Sequence, residues 1–333
     1  MNIILSSCFK KIAGVENQLK AWKKFIKGKK SKPDVQKFSF NFMSNILSLN
    51  RDLAQGKYKH GEYKPFWIFD PKPRKIHKAA VRDRLLHHAI YRILYPFFER
   101  IFICDSFSCR DKKGVHKAIN RFRHFAIIVS KNNTKTCWVL KCDIKKFFPN
   151  INHLVLLKIL KKYIRDHRTI NLLKKIINSY HSDMKKDIGL PLGNLTSQLF
   201  VNIYMNEFDQ FMKHKLKAKY YLRYTDDFVV CSQNRQYLKN ILPKISEFLE
   251  DRLKLFLHPN KIEIKTLVSG VDYLGWVNFA DHRVLRTNTR KRMFRKLRTG
   301  YSKESKISYL GLLKHGNTKK LIKRIQKFSS FDF

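Results

Sequence analysis

The stretch from Tyr220 to Cys231 constrains this chain more than any other. Two apolar runs, Tyr220-Tyr221-Leu222 and Phe228-Val229-Val230-Cys231, flank the tetrapeptide Tyr224-Thr225-Asp226-Asp227. Aromatic and β-branched runs on either side of a short polar break read as a hairpin. Its tip then carries two adjacent carboxylates, which repel each other and gain nothing from packing. A third acid, Asp143, ends another apolar run, Trp138-Val139-Leu140-Lys141-Cys142. Binding divalent cations is one of the few physical reasons to place acids this way. Three of them can hold two metal ions around a phosphoryl group. A surface Asp-Asp turn without function is the plain alternative for an isolated match, so the surrounding segments decide.

Those segments predict one sheet for all three acids. A strand over Cys137–Ile144 is followed by helices over 153–164 and 168–180, the loop Gly189-Leu190-Pro191-Leu192-Gly193-Asn194, and a helix over 195–214. The hairpin comes next, then a helix with Leu238, Ile241, Leu242, Ile245, Phe248 and Leu249 on one side. Strands near 254–257, 262–266 and 271–279 close the unit. This order is a split-βαβ, ferredoxin-like arrangement, in which the Asp143 strand and the hairpin can lie side by side. Upstream, residues 1–55 read as basic helices, with Phe38, Phe42, Ile46 and Leu49 at helical spacing. Pro65, Pro71 and Pro73 make 63–78 strand and loop. A helix over 80–100 carries Leu85, Leu86, Ile90, Ile93 and Leu94 on one face. A strand-like stretch over Phe102–Phe107 and a helix over Lys113–Phe125 follow. The last fifty residues form a basic block: Arg290, Lys291, Arg292, Arg295, Lys296 and Arg298 surround a stripe of Met293, Phe294 and Leu297, and a second helix runs over Thr318–Phe328. A solvated helical face and a grip on a phosphate backbone both fit that pattern.

Charge names the partner class. Lys and Arg number 70 against 25 Asp and Glu, a net charge of +45 over 333 residues, 44% of them hydrophobic. The apolar share is that of a folded chain. The excess of positive charge implies a polyanion, nucleic acid above all; a basic proteome or a membrane surface are the bland alternatives. Cys8, Cys104, Cys109, Cys137, Cys142 and Cys231 form no zinc-finger spacing, and several fall in apolar runs as buried free thiols. That usage suits a reducing, cytoplasmic setting. No apolar run is long enough to span a membrane. Met1 to Cys8 has the outline of a lipoprotein leader without a basic start or an apolar centre, and is discarded as one.

The ordered set Leu140-Lys141-Cys142-Asp143-Ile144-Lys145-Lys146-Phe147-Phe148, Gly189-Leu190-Pro191-Leu192-Gly193-Asn194-Leu195-Thr196-Ser197-Gln198, Tyr224-Thr225-Asp226-Asp227, Lys261 and Tyr273-Leu274-Gly275-Trp276 resembles the palm motifs of reverse transcriptases, over roughly residues 60–320. The resemblance implies an α+β right-hand polymerase with a ferredoxin-like palm. Its expected divisions are a basic helical N-terminal region (1–60), fingers (61–130), palm (131–282) and a short basic thumb (283–333). It implies an RNA-directed DNA polymerase in which Asp143, Asp226 and Asp227, with the carbonyl of Ile144, hold two Mg2+ ions, or Mn2+ in their place. Phe148 stands where the family places a bulky ring against a ribose 2′-hydroxyl. Arg74 and Lys72 fall where basic residues meet the incoming triphosphate, and Lys261 where a lysine protonates pyrophosphate. Gly193 lets the backbone approach the template–primer. Only one of Phe147 and Phe148 can face a cleft, since adjacent side chains diverge. Arg290, Arg292, Arg295 and Lys296 are the expected nucleic-acid contacts of the thumb.

Retroviral and intron enzymes read Gln-Gly and end in Ser-Pro in the Gly193 loop, whereas this chain has Leu192-Gly193 and Ser197-Gln198. That departure, with Ser308-Tyr309-Leu310-Gly311-Leu312-Leu313-Lys314-His315-Gly316-Asn317, resembles the prokaryotic enzymes of diversity-generating retroelements. Those make mutagenic cDNA from a template-repeat RNA and work with a small basic accessory protein. The implied partners are that RNA and its RNA/DNA hybrid, deoxynucleoside triphosphates and the accessory protein, with no membrane. After residue 320 no room is expected for an RNase H, integrase or maturase. The alternatives are a retron, abortive-infection or intron-derived enzyme, and, from another class, a non-catalytic RNA-binding protein with a polymerase fold.

Overall fold

The computed structural model describes residues 4–70, 72–182, 186–298, 300 and 302–327. Met1 of the discarded leader, Pro71 and Phe328, named above, lie outside the described residues. The chain divides into two units. One combines Met1–Cys104, Ile144–Phe211 and Ser246–Phe256, the other Asp105–Asp143, Met212–Ile245 and Leu257–Phe333. Each is assembled from three separated stretches.

The first unit is largely helical. Trp22, on the helix Val15–Phe25, meets the rings of Phe38 and Phe42 at 5.2 and 5.0 Å. Ile46 and Leu49 are buried beside them. The helix Val81–Glu99 buries Leu85, Leu86, Ile90 and Leu94 along its apolar stripe, as its 3.6-residue period requires. It packs against Val15–Phe25 and against the helix Leu195–Gln210. Strands β1 (Lys64–Ile68) and β2 (Arg74–Lys78) form a hairpin with Phe66 opposite Ile76.

The second unit is built on β3 (Trp138–Asp143), β4 (Tyr221–Tyr224), β5 (Asp227–Ser232) and β6 (Glu263–Thr266). All pairs are antiparallel, in the spatial order β4-β5-β3-β6. This is the order expected of a ferredoxin-like sheet. Val139, Leu222, Val229 and Cys231 pack with Phe122, Phe125 and Val129 of the helix Val115–Val129, and with Tyr273. A second sheet, β7 (Val271–Tyr273), β8 (Trp276–Asn278) and β9 (Arg283–Leu285), begins with a two-residue turn. Leu274 and Gly275 there both have positive φ, 51° and 87°, the conformation that matches strand twist in tight hairpins.

Three elements differ from expectation. Residues 254–257 are not a strand: the helix Arg235–Leu253 ends with Lys254 at φ 52°, a left-handed cap in which the Leu255 N–H bonds back to Leu249. Residues 102–107 make only an isolated bridge, Ser106 to Arg223. Lys303–Leu313 is a helix with its N-terminus capped by Ser302, and it carries part of the 308–317 motif. The stripe Met293, Phe294 and Leu297 is buried with Trp276, Leu285, Leu313 and Ile325. The basic helices therefore share one core. Cys8, Cys137, Cys142 and Cys231 are buried free thiols, whereas Cys104 and Cys109 are exposed.

Candidate active site

The three acids meet through strand register. Asp143, the last residue of β3, pairs with Asp227, the first of β5, and Tyr224 pairs with Asp227 across the hairpin. Thr225 and Asp226 are thus the two turn residues. Direct cross-strand partners lie about 4.5–5.5 Å apart at Cα, so both carboxylates crowd one sheet edge. The crowding raises the Asp227 carboxyl to about 7: burial contributes most, then the charges of Asp226 and Asp143, with Lys141 opposing. Asp143 has a cation of its own in the chain. Lys261 Nζ lies 2.9 Å from its Oδ2, delivered by the short turn Pro259–Lys261. That turn is anchored because the His258 N–H donates to the Asp143 carbonyl at 2.8 Å.

The turn is held under strain. Thr225 has φ 57°, where a β-branched residue is costly. Two side chains brace it. The buried guanidinium of Arg223 donates to the Thr225 carbonyl at 2.9 Å and to Ser106 Oγ at 3.3 Å. The Thr225 hydroxyl donates to Ser108 Oγ at 2.6 Å. The Arg223 backbone is fixed on both sides: its N–H donates to Asp105 and its carbonyl accepts from Phe107. Arg223, Ser106 and Ser108 escape the sequence reading. The signal for Arg223 is there in retrospect, a charge inside an apolar strand, between Leu222 and Tyr224.

The candidates for holding the incoming nucleotide lie in the first unit. Lys72 and Arg74 are exposed at the β1–β2 connection and the start of β2. Ile144 and Phe147 are buried and Phe148 half-buried, with the two rings near perpendicular at 5.6 Å. The Leu192 carbonyl accepts from the His77 N–H at 3.1 Å, and Asn194 Nδ2 donates back to the His77 carbonyl at 2.8 Å. The loop is thereby stitched along β2, the strand that Arg74 opens. Gly193, at φ 96°, needs its missing side chain for a reason internal to this unit: a Cβ would lie 2.6 Å from Ile76 Cγ2. Gln198 is half-buried in the first turn of Leu195–Gln210.

Near the C-terminus, a groove of about 520 Å³ gathers Arg290, Lys291, Arg295, Arg298 and Arg324. Arg324 stacks 4.6 Å over Phe294. Arg290 and Arg295 are among the expected contacts; Arg292 and Lys296, one helical turn apart from each other, do not line the groove. At the end of the 308–317 motif two residues serve packing: a Cβ on Gly316 would overlap the buried Trp276 ring, and the Asn317 N–H donates to the Arg283 carbonyl at 2.8 Å. Among the described residues no helix is long and apolar enough to cross a membrane.

The family profile described as reverse transcriptase (RNA-dependent DNA polymerase) matches residues 59–312. Protein YkfC of Escherichia coli (strain K12) is 25% identical over 301 residues, covering 78% of this chain and 77% of YkfC. The group II intron-encoded protein LtrA of Lactococcus lactis subsp. cremoris is 25% identical over 185 residues, 53% of this chain and 29% of LtrA. Among solved structures, telomerase from Candida albicans in complex with a fragment of telomeric RNA superimposes with a TM-score of 0.50 at 13% identity. It covers 78% of this chain and 55% of the telomerase chain.

Proposed function

The chain belongs to the reverse transcriptase (RNA-dependent DNA polymerase) family, and from that premise we propose that Asp143, Asp226 and Asp227 carry its DNA synthesis on an RNA template. Its fold is the right-hand polymerase fold. The observation that carries the proposal is the register that sets Asp143 opposite Asp227, with Asp226 beside it at the turn. The donor set fits divalent metal. Three carboxylates share one edge, burial and then their mutual repulsion raise one of them to about 7, and a lysine ammonium already stands against another. Asp143, Asp226 and Asp227, joined by the Ile144 carbonyl, would hold two Mg2+ ions, hard cations that prefer oxygen. When bound, these supply activation of the primer 3′-hydroxyl and charge neutralisation of the triphosphate.

The chain's own residues do the rest. Arg223 and Ser108 keep the strained turn in place, so Asp226 and Asp227 need no reorganisation. Lys261 holds a proton near Asp143 that can pass to departing pyrophosphate. Arg74 and Lys72 offer charge to the triphosphate, Arg74 through its planar fork of donors. Phe148 excludes a 2′-hydroxyl, and Arg290 and Arg295 meet the phosphate backbone. Asp226→Asn and Asp227→Asn should each lower metal-dependent primer extension by roughly a hundredfold or more while filter binding of RNA persists. Extension near the wild-type rate by both variants would sink the proposal.

The finer reading is an enzyme of a diversity-generating retroelement. It is supported by Leu192 before Gly193 and by Ser197-Gln198, and it brings a template-repeat RNA and a small basic accessory protein as partners. A Leu offers no hydrogen bond where a Gln would. Losing one of about 0.5–1.5 kcal/mol relaxes selection by up to roughly tenfold. An intron-derived enzyme is the second reading, favoured by the similarity to LtrA. Sequencing cDNA from one RNA separates them: errors concentrated opposite template adenine, and reduced by Leu192→Gln, support the first; errors spread over all four bases support the second.

A further inference from the structure

We propose that His153, His181 and Asp187 form a zinc site that clasps the loop leading into Gly189–Asn194. One ligand atom from each lies within 4.8 Å of the others. His153 is buried at the start of the helix His153–Tyr163, and His181 and Asp187 are exposed. The two imidazoles face each other with ring centroids 5.5 Å apart.

The tautomer of His153 is the decisive feature. Its Nε2 lies 2.7 Å from the Gly189 carbonyl. A carbonyl only accepts, so Nε2 carries the proton and Nδ1 keeps its lone pair. Metal-ligating histidines are oriented in this way, by donating the distal N–H to a backbone carbonyl. Nδ1 is buried, and among the described residues no polar atom meets it with hydrogen-bond geometry. The Asn178 side chain also lies within hydrogen-bonding reach of the ring. A cation between His153 and the exposed His181 would take up the Nδ1 lone pair.

The backbone already brings the ligands together. Ser182 N–H donates to the Ile188 carbonyl, His153 N–H to the Asp187 carbonyl and Gly189 N–H to the Ile151 carbonyl, all within 3.1 Å. These bonds close the loop at its base, so only side chains need to move. Tetrahedral zinc, with bonds of about 2.0–2.1 Å, holds its ligands roughly 3.3 Å apart. The exposed His181 and Asp187 must therefore swing inward by about an ångström. The Asp187 N–H now donates to His181 Nδ1 at 2.9 Å, and zinc takes that lone pair in its place. Two nitrogens and one carboxylate oxygen suit zinc better than magnesium and leave a fourth position to water.

The full chain is titrated with Zn2+ against a chromophoric chelator, and with Co2+ in parallel. Wild type should bind zinc in a component that His181→Ala and Asp187→Asn each weaken by 10- to 100-fold, and Co2+ should show the intense visible bands of a tetrahedral ion. Hydrogen exchange should slow at residues 181–182 and 186–189 on adding zinc. Because the acids at the β3–β5 edge also attract cations, the component that counts is the one His181→Ala removes. Equal zinc binding by wild type and His181→Ala, or a weak octahedral cobalt spectrum, overturns the proposal. His181 is exposed, so its variant folds; loss of binding in His153→Ala alone would not be needed to decide.

Discussion

Replacing Asp227 by Asn should make the metal-free protein more stable at high pH relative to wild type. The Asp227 carboxyl titrates near 7 in the fold, against 3.8 for an ordinary aspartate. A raised acid contributes stability that is fully present below its unfolded pKa and is lost as pH rises through its folded value. Between pH 4 and 7 the folded state holds a proton that the unfolded state has released. Wild type should therefore lose about 1.4 kcal/mol per pH unit across that window, to a ceiling of roughly 4 kcal/mol. Water reaches this half-buried carboxyl, so about 2 kcal/mol between pH 5 and 8 is the realistic size. Asn cannot ionise, and its amide can still donate to Asp143, so the variant should lack this slope. Urea unfolding of both proteins in chelator, at pH 5 and 8, measures the difference. Groups that do not interact with Asp227 cancel in the comparison. Parallel pH curves would refute the claim that burial and the charges of Asp226 and Asp143 crowd this carboxyl. Adding divalent cation at pH 8 should recover wild type more than the variant.

Two further outcomes follow from the second unit. Gly316→Ala should cost about 1–3 kcal/mol, because the added methyl meets the buried Trp276 ring; a thermal melt within a degree of wild type would show the ring can yield. Converting Arg290, Arg295 and Arg324 to Gln should make the slope of log K against log salt for RNA binding shallower by about 2–3, at roughly 0.7–0.9 per phosphate. Arg292→Gln with Lys296→Gln, off the groove, should change it less per charge removed, and an equal effect per charge would mean that net charge and not the groove matters.

The acids and the hairpin were legible in the sequence because their signature is local. Apolar runs with a polar break fix a turn, and carboxylates at that turn have no structural use. The order of strands and helices likewise anticipated the β4-β5-β3-β6 sheet. Local pattern stops at contact between distant residues. That Asp143 stands opposite Asp227, and not one residue along, is set by register, which depends on which faces of β3 and β5 are buried together. Nothing around Gly193 announces that Ile76 fills the space its side chain would need, nor anything around Gly316 that Trp276 does. Arg223 passes unremarked in the sequence, and only the fold places the Thr225 carbonyl within its reach. His153, His181 and Asp187 follow no metal-binding spacing; a closed loop makes them neighbours. Short-range chemistry is written in the order of residues, whereas proximity across the chain is decided only when whole faces are buried at once.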